Sequence, residues 1–497
     1  MEPSRRLQIA ESLVAPFRRR YGRNLVGMGV FGSVGRGDDR PGSDIDMLLV
    51  TRDGVRPSPS RSVEHPKSRI IEGIPVTFLQ WTPEQARDEV MGSRKDLNVA
   101  LAGWRSLRPL HDPDRFLARL RARSFHPTPT QWRRAARRAL LETFEDLGKL
   151  RNAVEAEDLD ELREMAIWYT DGAMGALFDL NRFVLPTGRR AFIEALRFGG
   201  TGRAIRRLRY ENESPGAAGR LADSIWSDLM RRAHRQGIRM PPLLSRSAHD
   251  NPPRASRVSV AEQFVKRVRL KEGRNLVGAG LYGSVASGED RRHSDIDLIL
   301  ALRQPRGYPR ITVSKDCLVS ISERTPKEVR QEIACCPWNL PELLSGWRSM
   351  RIMHDPSGIL RRAVARSRRP SDRMFRRAAL ENLFEAYEFL GKLSKAARAK
   401  DVDETREMAI WFSGNAMMAF LCLERHIVET GRKLLAETRG LGPLGQRIYR
   451  LRTESHGVEE TTRLANAVWA SLLARARRAG IRLPEGLRSH GASRDTT

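Results

Sequence analysis

The sequence predicts an α/β domain, with a mixed sheet and flanking helices, followed by an α-helical bundle, and it predicts this pair of domains twice in tandem. Three observations support this fold class. Short segments recur at a constant spacing, β-branched runs alternate with helical stretches early in each copy, and long amphipathic patterns fill the rest of each copy. A chain of 497 residues is also too long for a single hydrophobic core.

The repeat is visible as identical segments in the two halves. GRNLVG occurs at 22–27 and again at 273–278, an offset of 251 residues, and SDID occurs at 43–46 and 294–297 with the same offset. Farther along the chain the offset becomes 243, because the second copy lacks eight residues of the segment 50–66. The register then holds to the end, which indicates two copies of one unit.

Hydrophobic periodicity divides each copy into two domains. Short β-branched runs such as 24–30, 45–50 and 74–79 predict strands, whereas the amphipathic patterns from about 130 to 237 predict long helices. A segment rich in proline, serine and charge predicts a linker between the copies. The expected boundaries are 1–126 and 258–368 for the α/β domains, 127–240 and 369–487 for the bundles, 241–257 for the linker, and 488–497 for a disordered tail.

The composition suggests a soluble protein with a strong positive charge. The formal net charge is +28 and the pI is about 11.0, which leaves nucleic-acid binding open, although the basic residues are spread along the whole chain. The apolar stretch 410–428 is interrupted by Asn415 and by the charged group that begins at Glu424, so it predicts a buried helix and no membrane span. Neither end resembles a signal segment, and we expect a cytoplasmic protein.

The cysteines do not predict a metal site or a disulfide framework. All four fall in the second half, and no pair has the spacing of a zinc site. We expect buried apolar side chains at these positions, which are Cys317, Cys335, Cys336 and Cys422.

The segment 26–50 and its repeat carry the chemistry. Gly32 is followed by Ser33, a pair in which glycine lets the backbone approach a phosphate closely and serine offers its hydroxyl and N–H to phosphate oxygens. Asp44 and Asp46 are two residues apart on a predicted strand, so both side chains leave the same face and can hold a divalent ion. The second copy repeats these four positions as Gly283, Ser284, Asp295 and Asp297.

The composite resembles the signature of the DNA polymerase β nucleotidyltransferase superfamily, which is a strand, Gly-Ser, a short helix, and Asp-x-Asp on the next strand. The resemblance implies a nucleoside triphosphate substrate and Mg²⁺ or Mn²⁺ bound by Asp44 and Asp46 and by Asp295 and Asp297. Either motif alone also fits a plain turn or a solvated strand edge, but the combination occurs twice at constant spacing.

One position departs from the superfamily pattern. A third acidic residue is usual on a later strand, and the matching positions here are Thr77 and Ser320. Glu72 and Asp316 lie near those strands but in different columns of the repeat, so neither substitutes for the missing carboxylate. Catalysis therefore requires a carboxylate from another element.

The helical half offers such carboxylates. The segment 140–152 and its repeat resemble the C-terminal domain of kanamycin nucleotidyltransferase, in which two glutamates three residues apart face the active site. The resemblance implies that Glu142 and Glu385 bind a cationic acceptor and that Glu145 and Glu388 act as bases. An ordinary solvated helix face with ion pairs is the alternative.

That family is a homodimer with sites shared between subunits. The resemblance therefore implies that this chain folds as an intramolecular pseudo-dimer, in which the helical glutamates of one copy complete the metal site of the other.

Other repeated residues are expected to be structural. Arg105, Ser106 and Arg108, with their repeats Arg348, Ser349 and Arg351, fit a strand and a turn, although phosphate or base contacts stay open. His111 and His354 precede Asp-Pro, a helix-start signal, and Trp168 and Trp411 fall in apolar helical stripes that predict core packing.

Three functions remain open on sequence. The first is transfer of a nucleoside monophosphate, with AMP favoured, to a hydroxyl of a small molecule such as an aminoglycoside-like compound. The second is transfer to protein or RNA, as in minimal nucleotidyltransferases of the antitoxin or tRNA-tailing kind. The third is a catalytically weak nucleotide-binding or regulatory module, which the residues Thr77 and Ser320 favour.

Overall fold

A computed structural model describes residues 4–39, 43–52, 69–92, 96–211, 213–245, 254–334, 338–454, 456–484 and 487. The expected tail 488–497 and most of the segment 50–66 lie outside these residues, as do Cys335 and Cys336. Cys317 and Cys422 are buried, as expected. None of the helices in the described ranges has the length and apolar character needed to cross a membrane.

The first half contains a mixed five-stranded sheet, which agrees with the predicted α/β class. Its strand order is β3-β4-β2-β1-β5, and only β2 and β4 run parallel. Residues of β1 and β2 are almost all buried, because helices cover both faces of the sheet. The bounds are β1 Leu25–Phe31, β2 Ile45–Thr51, β3 Arg69–Ile71, β4 Ile74–Trp81 and β5 Arg108–His111.

The second half contains a sheet of the same topology. Read from the opposite edge, its order is β8-β9-β7-β6-β10, and β7 and β9 form the parallel pair. The bounds are β6 Leu276–Tyr282, β7 Ile296–Leu302, β8 Ile311–Ser314, β9 Cys317–Arg324 and β10 Arg351–His354.

Helices pack on the sheets and form the two bundles. Capping boxes at Thr82 with Gln85 and at Thr128 with Gln131 fix where α4 and α7 begin. The helices of the first half are α1 Arg5–Ser12, α2 Val14–Tyr21, α3 Gly32–Arg36, α4 Pro83–Met91, α5 Leu97–Ser106, α6 Phe116–Ser124, α7 Pro129–Glu155, α8 Leu159–Leu180, α9 Ala191–Ala195, α10 Gly200–Tyr210 and α11 Pro215–Arg235. Those of the second half are α12 Arg254–Glu272, α13 Gly283–Ser287, α14 Pro326–Ala334, α15 Leu340–Arg348, α16 Ile359–Ser367, α17 Asp372–Arg398, α18 Val402–Leu423, α19 Leu434–Gly440, α20 Pro443–Thr453 and α21 Val458–Arg478.

The linker differs from the expected range 241–257. Pro242–Ser245 forms a short 3-10 helix, and α12 begins at Arg254, inside that range. Arg257 is buried and pairs with Asp290 at 2.7 Å, so it belongs to the second α/β domain. Residues 246–253 lie outside the described part of the chain.

The two bundles pack through reciprocal buried ion pairs. Arg209 pairs with Glu407 at 2.8 Å, and Arg452 pairs with Glu164 at 2.5 Å. Each pair joins the same two columns of the repeat in opposite directions, which is the pattern of an isologous interface. Removing one member of a buried pair leaves an uncompensated charge, so these contacts hold the halves in one arrangement.

The expected core packing of Trp411 is wrong. This side chain is 42% exposed, stacks on Phe389 with 5.7 Å between ring centroids, and donates its N–H to Glu407 Oε1. Trp168 likewise donates to Glu164 Oε1. Both indoles therefore hydrogen-bond the carboxylates that pair across the interface, a role that an apolar helical stripe cannot reveal.

Arg452→Met should destabilise the fold by about 3–5 kcal/mol, because it leaves the Glu164 carboxylate buried without a cation. Arg450→Met is the matched control, since Arg450 lies on the same helix in a half-exposed pair with Glu454 and should cost no more than about 1 kcal/mol. Urea unfolding measures both. Equal losses for the two variants would contradict the interface assigned here.

Candidate nucleotide site

A glycine turn brings the backbone against the second aspartate of each pair. Gly32 follows β1, and its neighbour Phe31 is in register with Asp46 on β2. Gly32 has a φ of +68°, and a Cβ there would lie 2.6 Å from Asp46 Oδ2. Gly283 has a φ of +70° and an even closer approach to Asp297. Glycine is therefore required at both positions for conformation and for space.

The loop before the aspartates is anchored by an arginine of the first helix. Arg6 donates from Nε to the Ser43 carbonyl at 2.7 Å and pairs with Asp39, whose side chain is 6% exposed. The Arg257–Asp290 pair repeats this arrangement in the second half. These contacts fix the backbone that leads into Asp44 and Asp295.

The first pair of aspartates meets α17 of the second half. Lys392 Nζ lies 3.5 Å from Asp44 Oδ2 and also pairs with Glu388. Burial alone would raise the pKa of Asp44, but the Lys392 ammonium and hydrogen bonds, one of them with Glu388, lower it below its usual value. Burial and the charge of Asp44 raise the pKa of Asp46 to about 8.

The second pair of aspartates meets α7 of the first half. Lys149 Nζ lies 2.6 Å from Glu145 Oε1, and Ser320 Oγ donates to Glu145 Oε2 at 2.9 Å. Burial and the charge of Glu145 raise the pKa of Asp295 to about 6. Burial and the charge of Asp295 raise the pKa of Asp297 well above its usual value.

The position of the missing third carboxylate lies directly beside the aspartates. Thr77 is in register with Asp46 across β2 and β4, and Ser320 is in register with Asp297 across β7 and β9. In the second half, the hydrogen bond from Ser320 holds Glu145 at this position. A carboxylate from the other half thus stands where the strand itself has none.

Further contacts hold α7 and the start of α8 against the loop before Asp295. His293 N–H donates to Asn152 Oδ1 at 2.9 Å, and Arg291 pairs with Glu161 at 2.8 Å. A Cβ at Gly148 would lie 2.7 Å from the His293 carbonyl, so glycine permits this close approach of helix and loop.

The two outer glutamates lie at the same sites. Glu142 pairs with Arg310 at 3.4 Å. Burial would raise the pKa of Glu145, but the charge of Lys149 and, to a smaller extent, that of Arg310 lower it. The raised pKa of Asp46 is caused mainly by burial and by the charge of Asp44, and the charge of Glu385 adds to it. Glu385 therefore adds negative charge around Asp46, whereas the charge of Glu142 is paired with that of Arg310.

Among the other repeated residues, Ser106 contributes to the turn. Its Oγ accepts a hydrogen bond from Gly32 N–H at 3.0 Å and donates to the Gly103 carbonyl. Arg105 contacts the Ser124 carbonyl, and Arg108 lies 3.9 Å from Glu11, so neither meets the aspartates. Both histidines lie at the far ends of β5 and β10.

The donor set fits a divalent cation that is also held by phosphate oxygens. No group of three or more His, Cys, Asp or Glu side chains within the described ranges could hold a metal ion by itself. Asp295 Oδ2 is buried without a hydrogen bond, beside Asp297 and Glu145. Such crowded oxygens match the carboxylate and phosphate ligands that Mg²⁺ prefers.

Comparison with known proteins agrees with this reading at the level of the domain. Residues 11–94 match the family model described as nucleotidyltransferase domain, a span that contains the Gly32–Ser33 turn, Asp44 and Asp46. The match supports nucleotidyl transfer in general and a nucleotide substrate.

A solved structure and the curated proteins add little to this. The structure, a nucleotidyltransferase-like protein from Exiguobacterium sibiricum 255-15, aligns with 46% of this chain and 77% of its own at 12% identity and a TM-score of 0.33. The curated proteins contain no match.

Sequence reasoning missed the two lysines of the site. Lys149 and Lys392 follow Glu145 and Glu388 by four residues, which places each on the same helix face as its glutamate. The shared GKL in both copies was the available signal. A glutamate and a lysine four residues apart usually form an ordinary ion pair on the helix surface. Only the structure shows that an aspartate of the other half lies opposite Lys392.

Gly32→Ala should weaken nucleoside triphosphate binding at the first site, because the new Cβ would displace the Asp46 carboxylate. The left-handed φ adds about 1–2 kcal/mol of strain. Gly37→Ala is the matched control, since Gly37 has a φ of +78° but no heavy atom within 4 Å of its Cβ position. Titration calorimetry in an Asp295→Asn background reads the first site alone. Equal affinities of the two variants for nucleoside triphosphate would argue against the close approach of residue 32 to the Asp46 carboxylate.

Proposed function

We propose that the chain transfers a nucleoside monophosphate from a nucleoside triphosphate to a hydroxyl acceptor, at two sites that each combine the α/β domain of one half with the bundle of the other. The observation that carries the proposal is the contact of Glu145 with Ser320, beside Asp295 and Asp297. The corresponding contact of Lys392 and Glu388 with Asp44 supports the same arrangement in the first half.

Binding of the triphosphate is assigned to the turn and the lysines. The backbone N–H groups after Gly32 and Gly283 and the hydroxyls of Ser33 and Ser284 can donate to phosphate oxygens. Lys392 and Lys149 supply a positive charge at the aspartates. Mg²⁺, held by the paired aspartates and by phosphate, would neutralise charge that develops on the phosphoryl oxygens.

The inner glutamates are the proposed bases. Glu145 or Glu388 takes the proton of the acceptor hydroxyl as its oxygen bonds to the α-phosphorus, and the bond from that phosphorus to pyrophosphate breaks. Glu145 suits this role because of its pKa. Burial alone would raise that pKa, but the Lys149 ammonium lowers it below its usual value. The Glu145 carboxylate is therefore ionised and can accept a proton, whereas burial and the charge of Asp44 raise the pKa of Glu388 well above its usual value.

The acceptor is proposed to be a cationic small molecule. Glu385 places further negative charge at the first site, and at the second Glu142 offers a carboxylate for which a cationic acceptor would compete with Arg310. Exposed aromatic surface lies next to the first site, where Lys392 stands over the ring of Phe389 and Phe389 stacks on Trp411. A polyhydroxylated amine of the aminoglycoside kind combines the positive charge, the ring faces and the hydroxyl that these groups match, and ATP is the proposed donor.

A nucleotide-binding module without transfer is the second candidate. It is favoured by the lysines, because the Lys392 ammonium itself supplies a positive charge 3.5 Å from the Asp44 carboxylate. Pyrophosphate release decides between the two functions. The protein is incubated with Mg²⁺, each of the four nucleoside triphosphates and a panel of aminoglycosides. If calorimetry shows nucleoside triphosphate binding but no combination of triphosphate and aminoglycoside releases pyrophosphate, the nucleotide-binding module is supported.

Glu145→Gln combined with Glu388→Gln should lower kcat by about 10²–10⁴-fold and leave KM for the triphosphate largely unchanged, because a base acts in the chemical step. Glu157→Gln combined with Glu459→Gln removes the same charge from exposed positions and should retain activity. Steady-state pyrophosphate release measures both. A loss confined to KM would contradict the assigned role.

A further inference from the structure

A basic cleft lies at the end of the first sheet that is farthest from the nucleotide site. Its volume is about 930 Å³, and it is formed between the end of α2, the start of β1, the end of β2 and the segment after β5. Its basic side chains are the four arginines Arg18, Arg19, Arg23 and Arg52, together with His111, whose pKa is lowered by burial and by the charge of Arg18.

Among the described residues, the arginines of the cleft have no carboxylate partner. All four are exposed, and within the part of the chain that the structure describes none of them pairs with an Asp or Glu. Asp114 is the one carboxylate among the described lining residues. The feature that sets these four guanidinium groups apart is that they line one concave surface.

The second half repeats the basic residues of this surface. Arg269, Arg274, Arg303 and His354 occupy the columns of Arg18, Arg23, Arg52 and His111 in the repeat, and the three arginines are again exposed. Arg303 donates from Nε to the Arg274 backbone carbonyl at 3.2 Å, which fixes the Arg303 side chain beside that residue. The three arginine positions retain positive charge in both halves, although none of them forms an ion pair with a described carboxylate.

The cleft is separate from the site for the triphosphate. It meets β1 at Leu25, whereas the glycine turn follows Phe31, six residues on. A strand rises by about 3.3 Å per residue, so the two ends lie roughly 20 Å apart. The phosphates of a nucleotide at the Gly32–Ser33 turn cannot reach these arginines.

We propose that this cleft, together with the equivalent basic surface of the second half, binds the phosphate backbone of a nucleic acid, a function beyond the proposed nucleotidyl transfer. Arginine presents a planar fork of donors that matches phosphate oxygens, and a row of such groups neutralises successive phosphates. The concave shape suits a strand of backbone more than a flat lipid surface. The net charge of +28 adds long-range attraction for a polyanion.

The test compares two variants of the full chain with equal loss of charge. The cleft variant carries Arg→Gln at six positions, which are Arg18, Arg23, Arg52, Arg269, Arg274 and Arg303. The control variant carries Arg→Gln at six exposed positions of the bundles, which are Arg203, Arg220, Arg235, Arg398, Arg447 and Arg478. Fluorescence anisotropy with a labelled single-stranded RNA, over a series of salt concentrations, measures affinity.

We expect the cleft variant to lose more than about tenfold in affinity, with a salt dependence shallower by about 0.7 for each arginine that contacts a phosphate. The control variant should keep both values close to those of the parent chain. Equal losses in the two variants, or no binding of RNA by the parent chain, would overturn the proposal. Cleft-dependent binding to anionic phospholipid vesicles without binding to RNA would also overturn it.

Calorimetric titration with nucleoside triphosphate reports on folding and on the proposed function separately. The cleft variant should bind nucleotide as the parent does, because none of the six arginines lies at the aspartates. A cleft variant that binds RNA weakly and nucleotide normally therefore supports the cleft, whatever the outcome of the transfer assays.

Discussion

The arrangement of this protein depends on the contact between buried aspartates of one half and a lysine–glutamate pair of the other. Asp44 and Asp46, like Asp295 and Asp297, stand close together away from water, where burial and the charge of the first aspartate raise the pKa of the second. Lys392 relieves this repulsion at the first pair, since its ammonium lies 3.5 Å from Asp44. The electrostatics of each site therefore belong to both halves of the chain.

The bundles make this crossed arrangement possible. The Arg209–Glu407 and Arg452–Glu164 pairs are buried at the interface of the bundles and fix how α7 and α17 approach the opposite sheets. The glycine at 148 and the contacts of Asn152 and Glu161 with the loop before Asp295 then set the final fit. Packing, ion pairs and backbone approach thus act together to place Glu145 against Ser320.

Much of the fold followed from local sequence patterns. The runs at 45–50 and 74–79 predicted β2 and β4 closely, and amphipathic periodicity predicted α7 and α8. The start of α12, the exposure of Trp411 and the lysines of the site did not follow, because each depends on contacts between residues far apart in sequence. The position of Ser320 directly beside Asp297 also depends on such a contact, because it is set by the register in which β7 pairs with β9.

Crossed double variants test the shared sites most directly, with pyrophosphate release as the measurement. Asp44→Asn with Glu388→Gln should damage only the first site, and Asp295→Asn with Glu145→Gln only the second, so activity should survive in at least one of them. Asp44→Asn with Glu145→Gln, and Asp295→Asn with Glu388→Gln, should damage both sites and abolish release. Activity that survives in these last two variants and disappears in the first two would show that each half builds its own site.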